Sequence, residues 1–156
     1  MRWENRGPAP NAQAGCSRRG HRVHTCQQQD VDANEPIEGL VVHDEMPQTN
    51  GLTPERLAEI TRRLVAALAP RAIYLFGSQV YGTPTDASDI DLLVVLPGPV
   101  PPVSVCYGRG HASLRGLLLP VELHFASAAG FAARRHVQGT LEAEAAQKGR
   151  LLYEAA

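Results

Sequence analysis

Two aspartates, Asp89 and Asp91, stand one residue apart at the start of an apolar run, Leu92–Leu96. On a β-strand, residues i and i+2 share a face, with side-chain roots roughly 7 Å apart. Burying an ionised carboxylate is costly unless a positive charge meets it. An Asp-x-Asp in a solvated turn would need no cation, but the adjoining core strand makes that alternative the weaker one. The pair therefore predicts a site for Mg²⁺, which prefers oxygen ligands and keeps positions open for phosphate and water.

The dipeptide Gly77-Ser78 lies between a predicted strand and a brief helix that Gly82 and Pro84 end. Glycine lets a phosphate approach the main chain, and the serine hydroxyl adds one hydrogen-bond donor. A Gly-Ser taken alone fits an ordinary turn equally well. Its value comes from its spacing to the two aspartates.

Helices and strands alternate in the rest of the chain, which indicates an α/β fold with a small mixed β-sheet and flanking helices. Thr53 and Pro54 begin a helix in which large aliphatic residues recur at helical spacing. The stretch from Ile90 to Leu96 is almost wholly apolar beyond its aspartate, and we expect it to be central in the sheet. We predict helices at 53–68, 103–118, 128–136 and 141–148, and strands at 71–76, 90–96, 121–125 and 151–153.

The strand at 121–125 alternates, with Val121, Leu123 and Phe125 on one face and Glu122 and His124 on the other. It is therefore predicted to have one buried face and one polar face. A histidine on such a face is more often incidental than functional, so we assign no role to His124 here, although it is placed to assist.

A G-S turn followed, eleven residues after its serine, by D-x-D resembles the signature of nucleotidyltransferases of the DNA polymerase β superfamily. The resemblance is closest to the minimal nucleotidyltransferases, or MNT-domain proteins, and covers about residues 53–156. It implies a polymerase β palm-like fold and transfer of a nucleoside monophosphate from a nucleoside triphosphate. The matching residues are Gly77, Ser78, Gly82, Ser88, Asp89 and Asp91.

The resemblance implies three catalytic carboxylates that bind Mg²⁺, with two ions expected. Asp89 and Asp91 are two of them. The segment "PVELHF" stands where such proteins usually have a P-V-D strand, which makes Glu122 the candidate for the third metal ligand or base. Glutamate is one methylene longer than aspartate, and sites that need close placement tolerate such shifts poorly. The alternative is that Glu122 is a plain polar-face residue.

The resemblance also implies that ATP is bound through Gly77, Ser78 and Ser88. Gln79 and Tyr81, on the same turn, are placed to touch the nucleotide. Several basic residues are candidates for neutralising the triphosphate, and the sequence does not choose among them. They are Arg62, Arg63, Arg134, Arg135 and Lys148.

MNT-domain proteins are paired with HEPN-type helical proteins, often as toxin–antitoxin modules, and some transfer AMP to their partner. The leading prediction is therefore an antitoxin that AMPylates a HEPN ribonuclease toxin within a hetero-oligomer. Only 34 residues follow Glu122, so we expect the acceptor to come from another chain. The alternatives are a catalytically weak pseudoenzyme antitoxin that acts by binding alone, and a small-molecule nucleotidyltransferase of the aminoglycoside type.

Composition limits the other classes of function. The formal net charge of −1 gives no broad attraction to nucleic acid or anionic lipid, so neither sequence-specific nucleic-acid binding nor membrane association is expected. No apolar stretch is long enough for a bilayer, and no secretory h-region is present. Three scattered cysteines fit a reducing compartment, so a cytoplasmic location is predicted.

Residues 1–50 lack a periodic apolar pattern and are predicted to be disordered or loosely packed, whereas 51–156 form the nucleotidyltransferase domain. Translation starting at Met46 is one explanation of this contrast. Four residues that could bind zinc, two cysteines and two histidines, occur close together. The spacing C-x4-H-x2-H-x-C matches no common zinc pattern, so a flexible tail is preferred. These residues are Cys16, His21, His24 and Cys26.

Overall fold

The computed structural model describes residues 37–41, 52–85 and 88–156. These residues belong to a compact unit that the chain forms from Val31 onwards. The elements, in chain order, are α1 (Pro54–Leu68), β1 (Ala72–Phe76), α2 (Ser78–Tyr81), β2 (Ile90–Leu96), α3 (Val103–Ser113), β3 (Val121–Ser127), α4 (Ala128–Arg134), α5 (Leu141–Gln147) and β4 (Arg150–Glu154). The four residues that could bind zinc and Met46 lie outside the described residues.

The four strands form one sheet in the order β3-β2-β1-β4. β2 runs parallel to β3, while β1 is antiparallel to both β2 and β4. The prediction of an α/β fold with a small mixed sheet is confirmed, and β2 is central as its apolar sequence indicated.

One face of the sheet is covered by α1 and α3. Thr53 caps α1 by accepting a hydrogen bond from the Arg56 amide at 3.3 Å, and Ala69 ends the helix in the left-handed region at φ 45°. The apolar side of α1, which includes Leu57, Ile60 and Leu64, packs into the larger core.

The opposite face carries α4 and α5, and this is the face that bears the candidate site. Ser127 and Thr140 cap the two helices by accepting from the amides of Gly130 and Ala143, as predicted. Phe131 of α4 and Ala145 of α5 bury this face in a second apolar cluster.

The second long helix is shorter than predicted, because α3 ends at Ser113 rather than at 118. Leu114 ends α3, Gly116 has φ 86°, and Leu118 has φ 51° with its side chain 95% exposed. Gly116, one of the glycines that lower the helix propensity of this stretch, thus lies just beyond the end of α3. Within α3, Gly110 lies against Leu123 so closely that a Cβ there would come within 2.6 Å of Leu123 Cδ1.

Ile37–Val41 lies beside β4. Leu40 forms an antiparallel bridge with Tyr153. The Val41 amide donates to the Leu152 carbonyl at 2.9 Å, and the Glu154 amide donates to the Gly39 carbonyl at 3.1 Å. This stretch therefore adds backbone pairing to the outer edge of β4. The predictions for the rest of residues 1–50 fall outside the described part of the chain and stay predictions.

Among the described residues, no helix has the length and apolar character needed to cross a bilayer.

Candidate active site

Asp91 and Glu122 are register partners on the parallel strands β2 and β3. Partners in register point to the same face of a sheet, so the two carboxylates lie side by side. Asp91 is mostly shielded, with 24% of its side chain exposed, whereas Glu122 on the edge strand is 55% exposed. One carboxylate is therefore held within the fold while the other faces solvent.

His124 completes this group. Its Nε2 lies 3.6 Å from Glu122 Oε1 and 4.0 Å from Asp91 Oδ1. One ligand atom from each of the three residues lies within 4.8 Å of the others, which is the one such group found in the part of the chain that the structure describes. The sequence placed Glu122 and His124 on one face but favoured an incidental histidine, since strand alternation does not show which side chains meet across strands.

The electrostatics of Asp91 favour a bound cation. Burial raises the pKa of the Asp91 carboxyl above its ordinary value, and the neighbouring Glu122 charge raises it further, while His124 lowers it. Asp89 and Glu144 add smaller contributions in the raising direction. A divalent ion would compensate negative charge gathered in this way, so the donor set fits a metal.

Gly77 lies directly against Asp91. It has φ 75° and ψ −155°, a conformation that is essentially restricted to glycine. A Cβ on this residue would collide with Asp91 Oδ2 and would sit 3.1 Å from its Cγ. Ser78 follows as the first residue of α2. The predicted Gly-Ser turn and one predicted carboxylate are therefore in contact.

Asp89 and Ser88 lie to the side of this group. Asp89 is exposed, one residue before β2, and lines a pocket of about 250 Å³ that also includes Glu122 and Tyr107. The Ser88 hydroxyl accepts from the Thr85 amide at 2.9 Å and pairs with the Thr85 hydroxyl at 3.2 Å. Asp89 is thus close enough to affect the Asp91 pKa but is not among the three residues whose ligand atoms cluster.

The family profile of the nucleotidyltransferase domain matches residues 54–143. The chain belongs to the nucleotidyltransferase domain family. The matched region contains the Gly77-Ser78 turn, both aspartates and Glu122, which are the residues on which the sequence analysis depended. The sequence resemblance to the nucleotidyltransferase superfamily is confirmed at this level.

The nucleotidyltransferase domain also has a structural neighbour. It is a Sulfolobus solfataricus protein, provisionally described as a nucleotidyltransferase, whose crystal structure was determined at 1.40 Å resolution. The likeness covers 64% of this chain and 78% of that one, at 20% identity and a TM-score of 0.45. None of the curated proteins matches the chain in sequence.

The turn of the nucleotidyltransferase is tied to α5 through Tyr81. The Tyr81 phenol donates a hydrogen bond to the Glu144 carboxylate, and Lys148 Nζ lies 5.4 Å from the ring centroid. Burial, together with the hydrogen bond to Glu144, raises the pKa of Tyr81 to about 12. Tyr81 is therefore neutral at physiological pH. No sequence signal pointed to Glu144, which is 63 residues away along the chain.

Three of the five predicted triphosphate-neutralising residues form ion pairs with carboxylates of the protein. Arg62 and Arg63 both bind the Glu59 carboxylate on α1, which covers the other face of the sheet. Arg134 pairs with Glu142 at 3.6 Å. Lys148, over the Tyr81 ring, is the predicted cation with a contact to α2.

Proposed function

We propose that the protein transfers AMP from ATP to a hydroxyl group of a partner protein. The observation that carries this proposal is the placement of Asp91 and Glu122 in register on parallel strands, with the Gly77 main chain pressed against Asp91. Membership of the nucleotidyltransferase domain family supports the reaction class. The choice of ATP and of a protein acceptor is part of the proposal.

The cation would be held by Asp91 and Glu122, with Asp89 as a further carboxylate beside them. Mg²⁺ is the ion that the sequence resemblance implies, with two ions per site. When bound, such ions neutralise the charge on the transferred phosphoryl group and lower the pKa of the attacking hydroxyl. The mutual repulsion of the Asp91 and Glu122 carboxylates is relieved by that charge.

Gly77 and Ser78 would bind the phosphates of ATP. The absence of a Cβ at Gly77 leaves its backbone beside the Asp91 carboxylate, so a phosphate at this turn shares any cation held there. Ser88 is the third proposed phosphate contact, and binding through its hydroxyl would replace the hydrogen bonds that it makes to Thr85.

The acceptor would approach Glu122, which lies on the edge strand β3 with more than half of its side chain exposed. The acceptor oxygen attacks the α-phosphorus, a new P–O bond forms, and the bond to the bridging oxygen breaks to release pyrophosphate. Glu122 receives the proton of the acceptor hydroxyl, as a general base positioned at the open side of the site.

A HEPN-type helical toxin is the proposed acceptor, and the cytoplasm is the proposed location. Both rest on the resemblance to MNT-domain proteins and on the cysteine pattern. The exposure of Glu122, with 55% of its side chain open to solvent, agrees with an acceptor as large as a folded protein.

A second candidate is an antitoxin that acts by binding alone. Two observations favour it: Asp89 lies outside the cluster formed by Asp91, Glu122 and His124, and the Ser88 hydroxyl is already bonded to Thr85. Both are compatible with a nucleotidyltransferase site that no longer assembles fully.

The decisive experiment incubates the protein with a divalent cation, α-labelled ATP and the helical protein encoded by the adjacent gene. Label on the partner that disappears with Asp91→Asn and persists with His136→Asn, a remote histidine variant, supports AMPylation. A stable complex without label would favour the binding-only antitoxin. Label on an added small-molecule alcohol but never on the partner would overturn the protein acceptor.

A further inference from the structure

We propose that His124 is a metal ligand beside Asp91 and Glu122, and that this site consequently prefers Mn²⁺ to Mg²⁺. The inference rests on the proposed nucleotidyltransferase function for the existence of a cation site. It differs from the sequence prediction, in which all ligands were carboxylates and the cation was Mg²⁺.

The first argument is the spacing between the three side chains. A histidine bonded directly to a carboxylate has its nitrogen about 2.7 to 3.2 Å from the oxygen. His124 Nε2 is 3.6 Å from Glu122 and 4.0 Å from Asp91, which is too far for a normal hydrogen bond to either. The imidazole is therefore directed at both carboxylates without bonding directly to them.

These distances match those between ligands of one ion. With metal–ligand bonds of about 2.1 Å, adjacent ligands of an octahedral ion lie about 3 Å apart and opposite ligands about 4.2 Å apart. The 4.0 Å separation is close to the distance between opposite ligands, and the 3.6 Å separation lies between the two values. All three ligand atoms are within 4.8 Å of one another, so shifts of less than about 1 Å in the side chains would bring the three donors around a single ion.

The second argument is that the His124 ring is positioned by packing. The ring lies 5.5 Å from the Phe76 ring at an interplanar angle of 57°. Its side chain is only 21% exposed. His124 also occupies the position two residues after Glu122 on β3, so the strand itself directs it to the same face. A solvated, incidental histidine would share this strand position, but its ring would not be held against Phe76.

The chemistry of the three ligands then determines whether the site prefers Mg²⁺ or Mn²⁺. Mg²⁺ takes oxygen ligands in a near-ideal octahedron and gives up water reluctantly. A nitrogen donor adds little to a Mg²⁺ site, whereas imidazole favours first-row transition ions. Mn²⁺ accepts both donor types, because carboxylates and water suit it as well. A set of two carboxylates and one imidazole therefore favours Mn²⁺ when both ions are present.

The test measures cation binding without any transfer reaction. Electron paramagnetic resonance counts free Mn²⁺ during a titration of the full-length protein, Mg²⁺ competition gives the second Kd, and pulsed measurements detect nitrogen coordinated to the bound Mn²⁺. The informative variant is His124→Phe, which keeps a ring against Phe76 but removes the nitrogen donors. His124→Asn is the second variant, and His136→Asn, at an exposed histidine, is the matched control.

We expect the unaltered protein to bind Mn²⁺ at least about tenfold more tightly than Mg²⁺ and to give an imidazole nitrogen signal. His124→Phe and His124→Asn should both abolish that signal and weaken Mn²⁺ binding about tenfold or more, while Mg²⁺ binding changes less than about threefold. His136→Asn should change nothing. Thermal unfolding of each variant establishes that it is folded.

The inference is overturned if the nitrogen signal survives both His124 variants, or if those variants weaken Mn²⁺ and Mg²⁺ equally. Either result leaves the nucleotidyltransferase proposal intact, since transfer that depends on Asp91 would continue with Mg²⁺. Conversely, the protein could show a Mn²⁺ preference that depends on His124 and yet never transfer label. That result would contradict the proposed reaction and support His124 as a metal ligand.

Discussion

Gly77 and Asp91 touch in a way that allows no side chain at position 77. The glycine approaches the carboxylate from β1, at the beginning of α2, and its φ of 75° is one that other residues rarely adopt. Main chain and carboxylate therefore meet at the point where a phosphate and its cation would be bound together.

Replacing Gly77 by alanine tests this contact. The added Cβ would displace the Asp91 carboxylate, so we expect nucleotidyl transfer to fall by at least about a hundredfold, and the free energy of unfolding to fall by about 1 to 3 kcal/mol. The control is Gly139→Ala, at a glycine with φ 79° whose Cβ would meet nothing within 4 Å. That variant has the free-energy cost of placing alanine at a positive φ but creates no steric clash, so it should keep its activity. Equal loss in both variants would contradict a specific role for the Gly77 contact.

Asp91→Asn should separate activity from stability. Burial and the Glu122 charge raise the Asp91 pKa in the folded protein, so the ionised carboxylate is less favourable there than in the unfolded chain at neutral pH. The neutral amide removes that penalty. Transfer should therefore be lost, while the free energy of unfolding without added metal is unchanged or higher by roughly 0.5 kcal/mol.

Chemical denaturation at pH 7, with and without a divalent cation, checks this prediction. Added cation should stabilise the unaltered protein more than the Asp91→Asn variant, because it binds the folded state of the former. A variant that is clearly less stable than the unaltered protein in the absence of metal would indicate a structural role for the Asp91 carboxylate.

The sequence predicted the elements and the polar face of β3, because alternation and apolar runs are local signals. It also placed Glu122 on that polar face, where the structure has it in register with Asp91. The role of Glu122 as the third carboxylate stays a prediction. The close group of Asp91, Glu122 and His124 depends on the register of β2 against β3, which is set by tertiary packing. For the same reason the sequence does not distinguish Asp89, which precedes β2 by one residue, from Asp91 within the strand. The metal-binding role predicted for Asp89 stays a prediction.

The Tyr81–Glu144 hydrogen bond could not be predicted from the sequence. It joins α2 and α5 across 63 residues, and no periodicity or motif specifies such a pair. The helix predicted at 103–118 is present but ends at Ser113. Glycine frequency indicated weak ends, but it does not specify the residue at which the helix stops.

Glu59→Gln is predicted to change how stability depends on pH. Burial raises the pKa of Glu59, but hydrogen bonds from Arg63 and Arg62 outweigh it and lower the pKa below its ordinary value of 4.5. A carboxyl with a lowered folded pKa stabilises the protein above pH 4.5, and this contribution is lost as the pH falls through the folded value. We expect the variant to be less stable by about 1 kcal/mol at pH 7 and equal to the unaltered protein in acid.

Urea unfolding from about pH 3 to about pH 8 measures the free energy of unfolding of both proteins across this range. Arg63 also donates to the Arg115 carbonyl at 3.0 Å. The single variants Glu59→Gln and Arg63→Gln are therefore compared with the double variant, which separates the energy of the Glu59–Arg63 pair from the other contact of Arg63. A stability difference that stays constant down to the acid end would show that Glu59 does not act through its charge.

The stretch Ile37–Val41 leads to a last prediction, which concerns where the folded domain begins. A chain starting at Met46 would lack the bridge between Leu40 and Tyr153 and the two backbone hydrogen bonds that surround it. It would also uncover Leu152, which lines an apolar cleft together with Leu40 and Val41. We expect such a chain to be about 2 to 3 kcal/mol less stable than one starting at Val31, with a Tm lower by roughly 10 °C.

Gly39→Ala in the full-length chain is the matched point variant. Gly39 has φ 89°, and a Cβ there would collide with the Glu154 carbonyl oxygen, so the variant should disrupt the pairing without removing any residue. Loss of stability in both the Met46 chain and the Gly39 variant would mean that residues before Met46 belong to the folded domain. Unchanged melting of both would show that β4 forms a stable edge by itself, and translation from Met46 would remain compatible with the fold.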